Sequence, residues 1–237
     1  DDNVWVTDIG HHLVLKFNPG GKLLLALGTT DKPGLGRDQF DKPTDVAFGP
    51  KGELYVSDGY GNNRVVKFTA RGKFVTTWGK PGNGRGEFNL PHTILVDAAG
   101  RVLKAVPVKS HHGGLVHHDG KLYVAVNFGS FNNAQGRADN WIYVYDAKTL
   151  KLLGKHPAPQ VKHGAGGIAF HDNRFIVIGG LPEGVQENYA YEYDTSFKFI
   201  RKHTIKSGYT NLGIQAAGFH DGHWWFGCYG NKLLKVD

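Results

Sequence analysis

The 237-residue sequence contains no methionine and one cysteine, Cys228. A single thiol cannot close an internal disulfide, and within the apolar stretch HWWFGCYG it reads as a small buried hydrophobe. No apolar run approaches the roughly 18 residues a membrane-spanning helix requires, so a helical span is excluded. There is no Gly-rich phosphate loop, nucleophile elbow or CxxC pair, which removes three common routes to enzymatic function. The chain opens mid-strand at Asp1 without a signal peptide and without methionine. It is therefore expected to be a trimmed or engineered segment whose targeting information is missing.

What the chain does have is repetition. The phrase VWVTDIGHHLVLKFNPGGKLLLALG at the start returns as LYVSDGYGNNRVVKFTARGKFVTTWG from Leu54 to Gly79. Each copy alternates apolar and polar residues in short runs separated by glycine-bearing turns, the period-two signature of β-strands. Looser copies follow, as KLYVAVN with WIYVYDAKTLKLLGKH, RFIVIGG with YAYEYDTSFKFIRKH, and HWWFGCYG with KLLKVD. Four strands per repeat of about 40 to 50 residues describe a β-propeller blade, which buries its faces only against neighbouring blades. With 34 glycines and 12% aromatic residues, the composition suits many tight turns between pleated strands, and the length suits one domain over 1–237.

Five stretches read as innermost strands: TDVAFGP, HTILVDAAG, GGLVHHDG, GGIAFHDN and QAAGFHDG. Their turn residues Gly52, Gly100, Gly120, Asn173 and Gly222 are spaced 48, 20, 53 and 49 residues apart, and the second interval is too short for a blade. Between Asp97 and Lys109 there is room only for RVLKAVPV, an outer-strand pattern, so one blade lacks its two middle strands. The vocabulary also changes there. We read 101–108 as a seam, either an engineered junction making the chain a chimera of two propeller fragments or the scar of a deletion. The expected fold is an all-β propeller of four-stranded antiparallel blades, with six-bladed parentage and incomplete blades or, alternatively, a closed five-bladed ring.

The phrases VWVTDIGHHLVLKF, FDKPTDVAF, YVSDGYGNNRVVKF, GKFVTTWG and FNLPHTILVD make the first hundred residues resemble the NHL-repeat propellers, most closely their peptidyl-α-hydroxyglycine α-amidating lyase branch. That resemblance implies a six-bladed propeller with a zinc ion held by three histidines on the central axis, a structural calcium, and a secreted or periplasmic location. The implied chemistry is N-dealkylation of a peptidyl-α-hydroxyglycine, releasing glyoxylate and a peptide amide. The family's LPH histidine falls on His92 and its SDGY tyrosine on Tyr60. Its other histidine phrases have no counterpart here, and its cysteine pair is replaced by Asp41 and Gly61. Residues 109–237 share only a generic bacterial propeller style.

The residues themselves point to the same place. His92 stands at the entrance of an inner strand, where imidazoles of different blades converge on a propeller axis. His112 occupies the same position eight residues before its turn, and His163 lies two residues before the equivalent Ala165. His92, His112 and His163, or His111 in its place, are the candidate ligands of zinc or a similar ion. The alternative is a set of channel histidines satisfied by water or backbone. Tyr60 and Arg64, in and after the turn DGYGNNR, are the candidate catalytic groups: a phenol that moves a proton and a guanidinium that orients a carboxylate. Their alternatives are a packed ring for Tyr60 and a pairing with Asp58 for Arg64. His118, His171 and His220 repeat at HDG or HDN turns and are expected to be structural and exposed, and His11 and His12 to lie on a surface turn. The partners to consider are a small-molecule or peptide ligand on the axis or, alternatively, RNA or a protein on the loop-rich face of a non-catalytic binding module, the RNA form motivated by the net charge of +7. Lys and Arg are scattered along the chain, which favours a plain basic surface.

Overall fold

A computed structural model describes residues 3–84, 86–94, 96, 111–228 and 232–237. Two compact units make up the chain, Asp1–Pro107 and Val108–Asp237, and each is described separately. The expected seam at 101–108 lies outside the described residues. All elements are β-strands paired antiparallel between sequence neighbours, as alternating runs joined by tight turns require.

The described residues of the first unit form two sheets. β1 (Val4–Asp8), β2 (Leu13–Phe17) and β3 (Leu23–Leu27) form one of three strands; β4 (Asp45–Phe48), β5 (Leu54–Asp58), β6 (Arg64–Phe68) and β7 (Phe74–Trp78) form one of four. Alternation along β5 supplies two cores. Leu54 and Val56 join Val14, Leu27, Phe40, Val66 and Phe68 on one side, while Tyr55 on the other joins Val65 and Ile94.

The second unit holds three sheets. They comprise β8 (His111–His118), β9 (Lys121–Asn127), β10 (Asn140–Asp146) and β11 (Leu152–Pro157); β12 (Ala165–His171), β13 (Arg174–Gly179), β14 (Asn188–Tyr193) and β15 (Phe199–Ile205); and β16 (Ile214–His220), β17 (His223–Cys228) and β18 (Leu233–Val236). Here β13 divides its side chains as β5 does. Phe175 and Val177 pack with Tyr123, Ile142 and Val144 of the preceding sheet, and Ile176 and Ile178 pack with Ile214 and Phe226 of the following one. Trp224 packs against that second core, as its mid-strand position predicts.

Four of the five expected inner strands form, as β4, β8, β12 and β16. For the fifth, HTILVDAAG, the described residues His92–Ile94 and Val96 belong to no strand, and the remainder lies outside the described residues. The described residues thus carry five propeller-type sheets, the count of the five-bladed alternative.

β8, β12 and β16 break register at one repeat position, between His112 and Leu115, Ala165 and Gly167, and Ile214 and Ala216. These bulges bring inner strands together. A Cβ on Gly113 would lie 2.2 Å from the Gly166 carbonyl oxygen, so glycine is required where β8 meets β12.

Candidate functional site

The first unit brings Tyr60 and His92 together. The Tyr60 hydroxyl lies 2.7 Å from His92 Nε2, and the rings meet edge to face at 5.4 Å and 89°. Thirty-two residues separate them, so the contact depends on how the chain around each is held.

Tyr60 follows the end of β5, in a turn where its backbone N–H donates to Lys42 and that of Gly61 to Asp41. His92 sits on an irregular segment fixed from both sides by the TD dipeptide that opens β4. The Thr44 hydroxyl donates to the Pro91 carbonyl at 2.7 Å. The Asp45 carboxylate accepts from the Thr93 hydroxyl at 2.6 Å, the Ile94 N–H at 3.0 Å and its neighbour Val46 N–H at 2.8 Å. Desolvation pushes the Asp45 carboxyl above the usual carboxylate range, and these donors oppose that shift. Gly59 leaves room for the approach, since a Cβ there would lie 1.9 Å from the Pro91 oxygen. Sequence reasoning passed over Thr44, Asp45, Gly59 and Thr93. The available signal was the pair of short polar residues at the mouth of β4, which suits carbonyls and N–H groups left unpaired by an irregular segment.

Arg64 is buried and fully engaged. Its Nε donates to Asp58 at 2.9 Å, and its terminal nitrogens donate to the carbonyls of Leu35 and Gln39 at 2.7 Å, Gly36 at 3.3 Å and Gly34 at 3.4 Å. Asp58 is itself buried and also accepts from the Asp41 N–H and the Asn62 amide. The guanidinium therefore holds the 34–39 loop to the end of β5, which is the Asp58 pairing weighed for it above.

The candidate ligands divide between the units, His92 in the first and His112 and His163 in the second. His112 Nε2 lies 2.9 Å from the Tyr145 hydroxyl. His163 Nδ1 donates to the Asn133 carbonyl at 3.0 Å. The side chain of His111 lies outside the described residues. Among the described residues no three His, Cys, Asp or Glu side chains gather as a metal site.

Two expectations about other histidines change. His12 is not a free surface group: its side chain is 12% exposed, its Nδ1 accepts the Lys42 N–H at 3.1 Å, and it lies 3.5 Å from Asp41 Oδ1. The turn histidines are structural as expected but half-buried, with His118 stacked on Phe170 and His171 on Phe219. Each ring lies on the aromatic residue that precedes the next turn histidine.

Residues 40–68, which include Asp45, Asp58, Tyr60 and Arg64, match the NHL repeat model. The chain is 46% identical over 103 residues to the peptidylglycine alpha-amidating monooxygenase of Rattus norvegicus, matching 40% of this chain and 11% of that protein. It is 41% identical over 112 residues to NHL repeat-containing protein 3 of Mus musculus, covering 43% and 32% of the two chains. It is 45% identical over 83 residues to peptidyl-alpha-hydroxyglycine alpha-amidating lyase 1 of Drosophila melanogaster, covering 34% and 15%. Among solved structures, the WD40 β-propeller domain of Doa1 aligns over 100% of this chain and 60% of its own, with a TM-score of 0.39 and 11% identity. Across these three relatives, the chain spans 11% to 32% of their length. Residues 40–68 thus carry an NHL repeat, within a stretch of about two fifths of the chain that is similar to amidating lyases and to NHL repeat-containing protein 3.

Proposed function

We propose that the Tyr60–His92 pair is a lyase-derived site that binds the α-hydroxyglycine end of a peptide and moves a proton on it. The 2.7 Å contact between Tyr60 and His92 Nε2 supports this reading, because a phenol and an imidazole sharing one proton can act as coupled acid and base. Cleavage of a peptidyl-α-hydroxyglycine breaks the bond between the carbinol carbon and the amide nitrogen. The hydroxyl loses its proton as the C–O bond becomes the aldehyde of glyoxylate, and the departing nitrogen gains one as the peptide amide. The net proton movement is from oxygen to nitrogen, which a two-member relay can carry without external reagent. Arg64 is spent on Asp58 and the 34–39 loop, so the substrate carboxylate has to be met by another group. The experiment is glyoxylate release from a synthetic peptidyl-α-hydroxyglycine, alongside calorimetric binding of the same peptide, for wild type, Tyr60→Phe and His92→Ala. Saturable release that falls in both variants supports a lyase-like enzyme. Binding without release, weakened in both, supports a binding module. Release and binding equal in all three proteins overturn the site.

A second reading concerns origin. The compact units part between Pro107 and Val108, beside the change of repeat vocabulary, and this supports descent of the two units from different propeller parents. A natural open reading frame encoding close homologues of both halves in one frame would overturn an engineered junction.

A further inference from the structure

We infer that Asp45 is a positioning residue for His92, acting through Thr93 and the Ile94 backbone rather than through the imidazole. The inference rests on the reading of Tyr60 and His92 as a site and adds what orients it.

The neighbours of His92 are each held: Pro91 by the Thr44 hydroxyl, Thr93 and Ile94 by the Asp45 carboxylate. The imidazole meets the Tyr60 hydroxyl through Nε2. Both bonds from the His92 segment reach the same carboxylate oxygen, Oδ2, while Oδ1 takes the Val46 N–H beside it. A carboxylate set among desolvating groups is costly unless its lone pairs are used, and here two of its three donors come from the segment that carries His92. Among the described residues, His92–Ile94 belong to no strand, and the side-chain anchors hold this stretch in place. Thr44 and Ser57 add a hydroxyl contact at 2.8 Å that ties the same corner to β5, the strand leading to Tyr60. Both partners of the pair are thus referred to one polar corner at the mouth of β4.

The test separates orientation from stability. Thr93→Val removes the hydroxyl bond with little change of volume, and Thr93→Ser restores it. In protein carrying 15N-labelled histidine, the His92 ring signals are identified by their loss in His92→Ala, and their shift in Tyr60→Phe marks the broken phenol contact. At fixed pH, Thr93→Val and Asp45→Asn are expected to move those signals toward the Tyr60→Phe position, while Thr93→Ser keeps them at wild type. A folded Thr93→Val or Asp45→Asn protein with wild-type His92 signals overturns the inference. If Thr93→Val does not fold, Asp45→Asn with the Thr93→Ser control decides alone, and failure of both to fold where Thr93→Ser folds assigns Asp45 a role in stability and also overturns it. Since the readout needs no ligand, shifted signals alongside unchanged peptide binding would leave the positioning role standing and remove the proposed function.

Discussion

The imidazole of His171 lies on the ring of Phe219, 3.5 Å between centroids and 15° from parallel. This joins β12 to β16, and one repeat earlier His118 lies on Phe170 at 3.8 Å and 26°, joining β8 to β12. The histidines are placed by their turns. Asp119 and Gly120, Asp172 and Asn173, and Asp221 and Gly222 all have positive φ, the paired left-handed conformation of a type I′ hairpin, which aligns with the twist of the flanking strands. An offset aromatic pair contributes about 0.5–1.5 kcal/mol beyond area burial, so His171→Ala and Phe219→Leu should each destabilise, with a coupling energy near 1 kcal/mol in a double-mutant cycle. Urea unfolding of the four proteins measures it, and strict additivity would mean the stack contributes nothing.

Arg64 offers a larger effect. Breaking a buried pair by removing one partner costs about 3–5 kcal/mol, because the other charge stays buried without compensation. Arg64→Met should therefore lower the melting temperature strongly, and Arg64→Lys should recover little of the loss. A lysine cannot reach four carbonyls and Asp58 from one fork of donors. Arg64→Met together with Asp58→Asn should be less damaging than Arg64→Met alone.

How much of this was legible in the sequence depends on the range of the interaction. Strand positions and turn types follow from alternation and from Gly, Asn and Asp at the turns, and β4 to β7 and β12 to β15 form where the repeat places them. The pairing of Tyr60 with His92 was approachable through the family phrases, because both residues lie in ordered motifs. The anchoring by Thr44 and Asp45 was not. Short polar residues before a strand look like ordinary turn formers until the chain 47 residues further on presents its unpaired carbonyl. For the same reason the sequence offers Arg64 either a loop-mouth role or the nearby Asp58, while its carbonyl partners lie 25 to 30 residues upstream.

The thiol of Cys228 is pushed up to about 11, chiefly by burial. At pH 8 the thiolate is then on the order of one part in a thousand, against roughly a quarter for an ordinary cysteine. Native protein should react with a disulfide reagent on the order of a hundredfold more slowly than unfolded protein at that pH. Equal rates would contradict the burial of this side chain.

Two hairpin aspartates contribute to the acid limb of the stability curve together with Glu53, Glu87 and Glu192, and against Asp45 and Asp58, whose raised values act in the opposite sense. Asp194 is held below the usual carboxylate range by the Lys198 N–H and then the Ser196 hydroxyl, and Asp146 by the hydroxyl and then the N–H of Thr149. A depressed folded pKa contributes stability that is present above the unfolded value and lost as pH falls through the folded value. Melting temperature should therefore drop on acidification below about pH 4. The double variant Asp146→Asn/Asp194→Asn, which keeps an acceptor oxygen in each turn without its titration, should show a shallower drop.

Asp41 and Gly61 stand where the resembled family carries its cysteine pair, and the structure puts them side by side: the Gly61 N–H donates to the Asp41 carbonyl at 3.0 Å. A Cβ built on Gly61 would lie 2.5 Å from the Asp41 Cβ. A disulfide needs roughly 3.5–4.5 Å between these atoms, so Asp41→Cys/Gly61→Cys closes once the two turns separate by about 1 Å. Gly61 has no positive φ, so a side chain there is opposed by space and not by backbone conformation. Closing a loop of about 20 residues restrains the unfolded chain by roughly 3 kcal/mol, less the strain of that separation. The oxidised double variant should melt above its own reduced form by several degrees. Gly61→Ala alone should destabilise, because its methyl would meet the Asp41 carboxylate carbon at 2.1 Å and its Cβ at 2.5 Å, and Asp41→Gly in the same chain, which removes both, should restore most of the loss. A double cysteine variant that stays fully reduced under air would show that the turns resist separation, and an unaltered melting temperature in Gly61→Ala would show that Asp41 already yields freely.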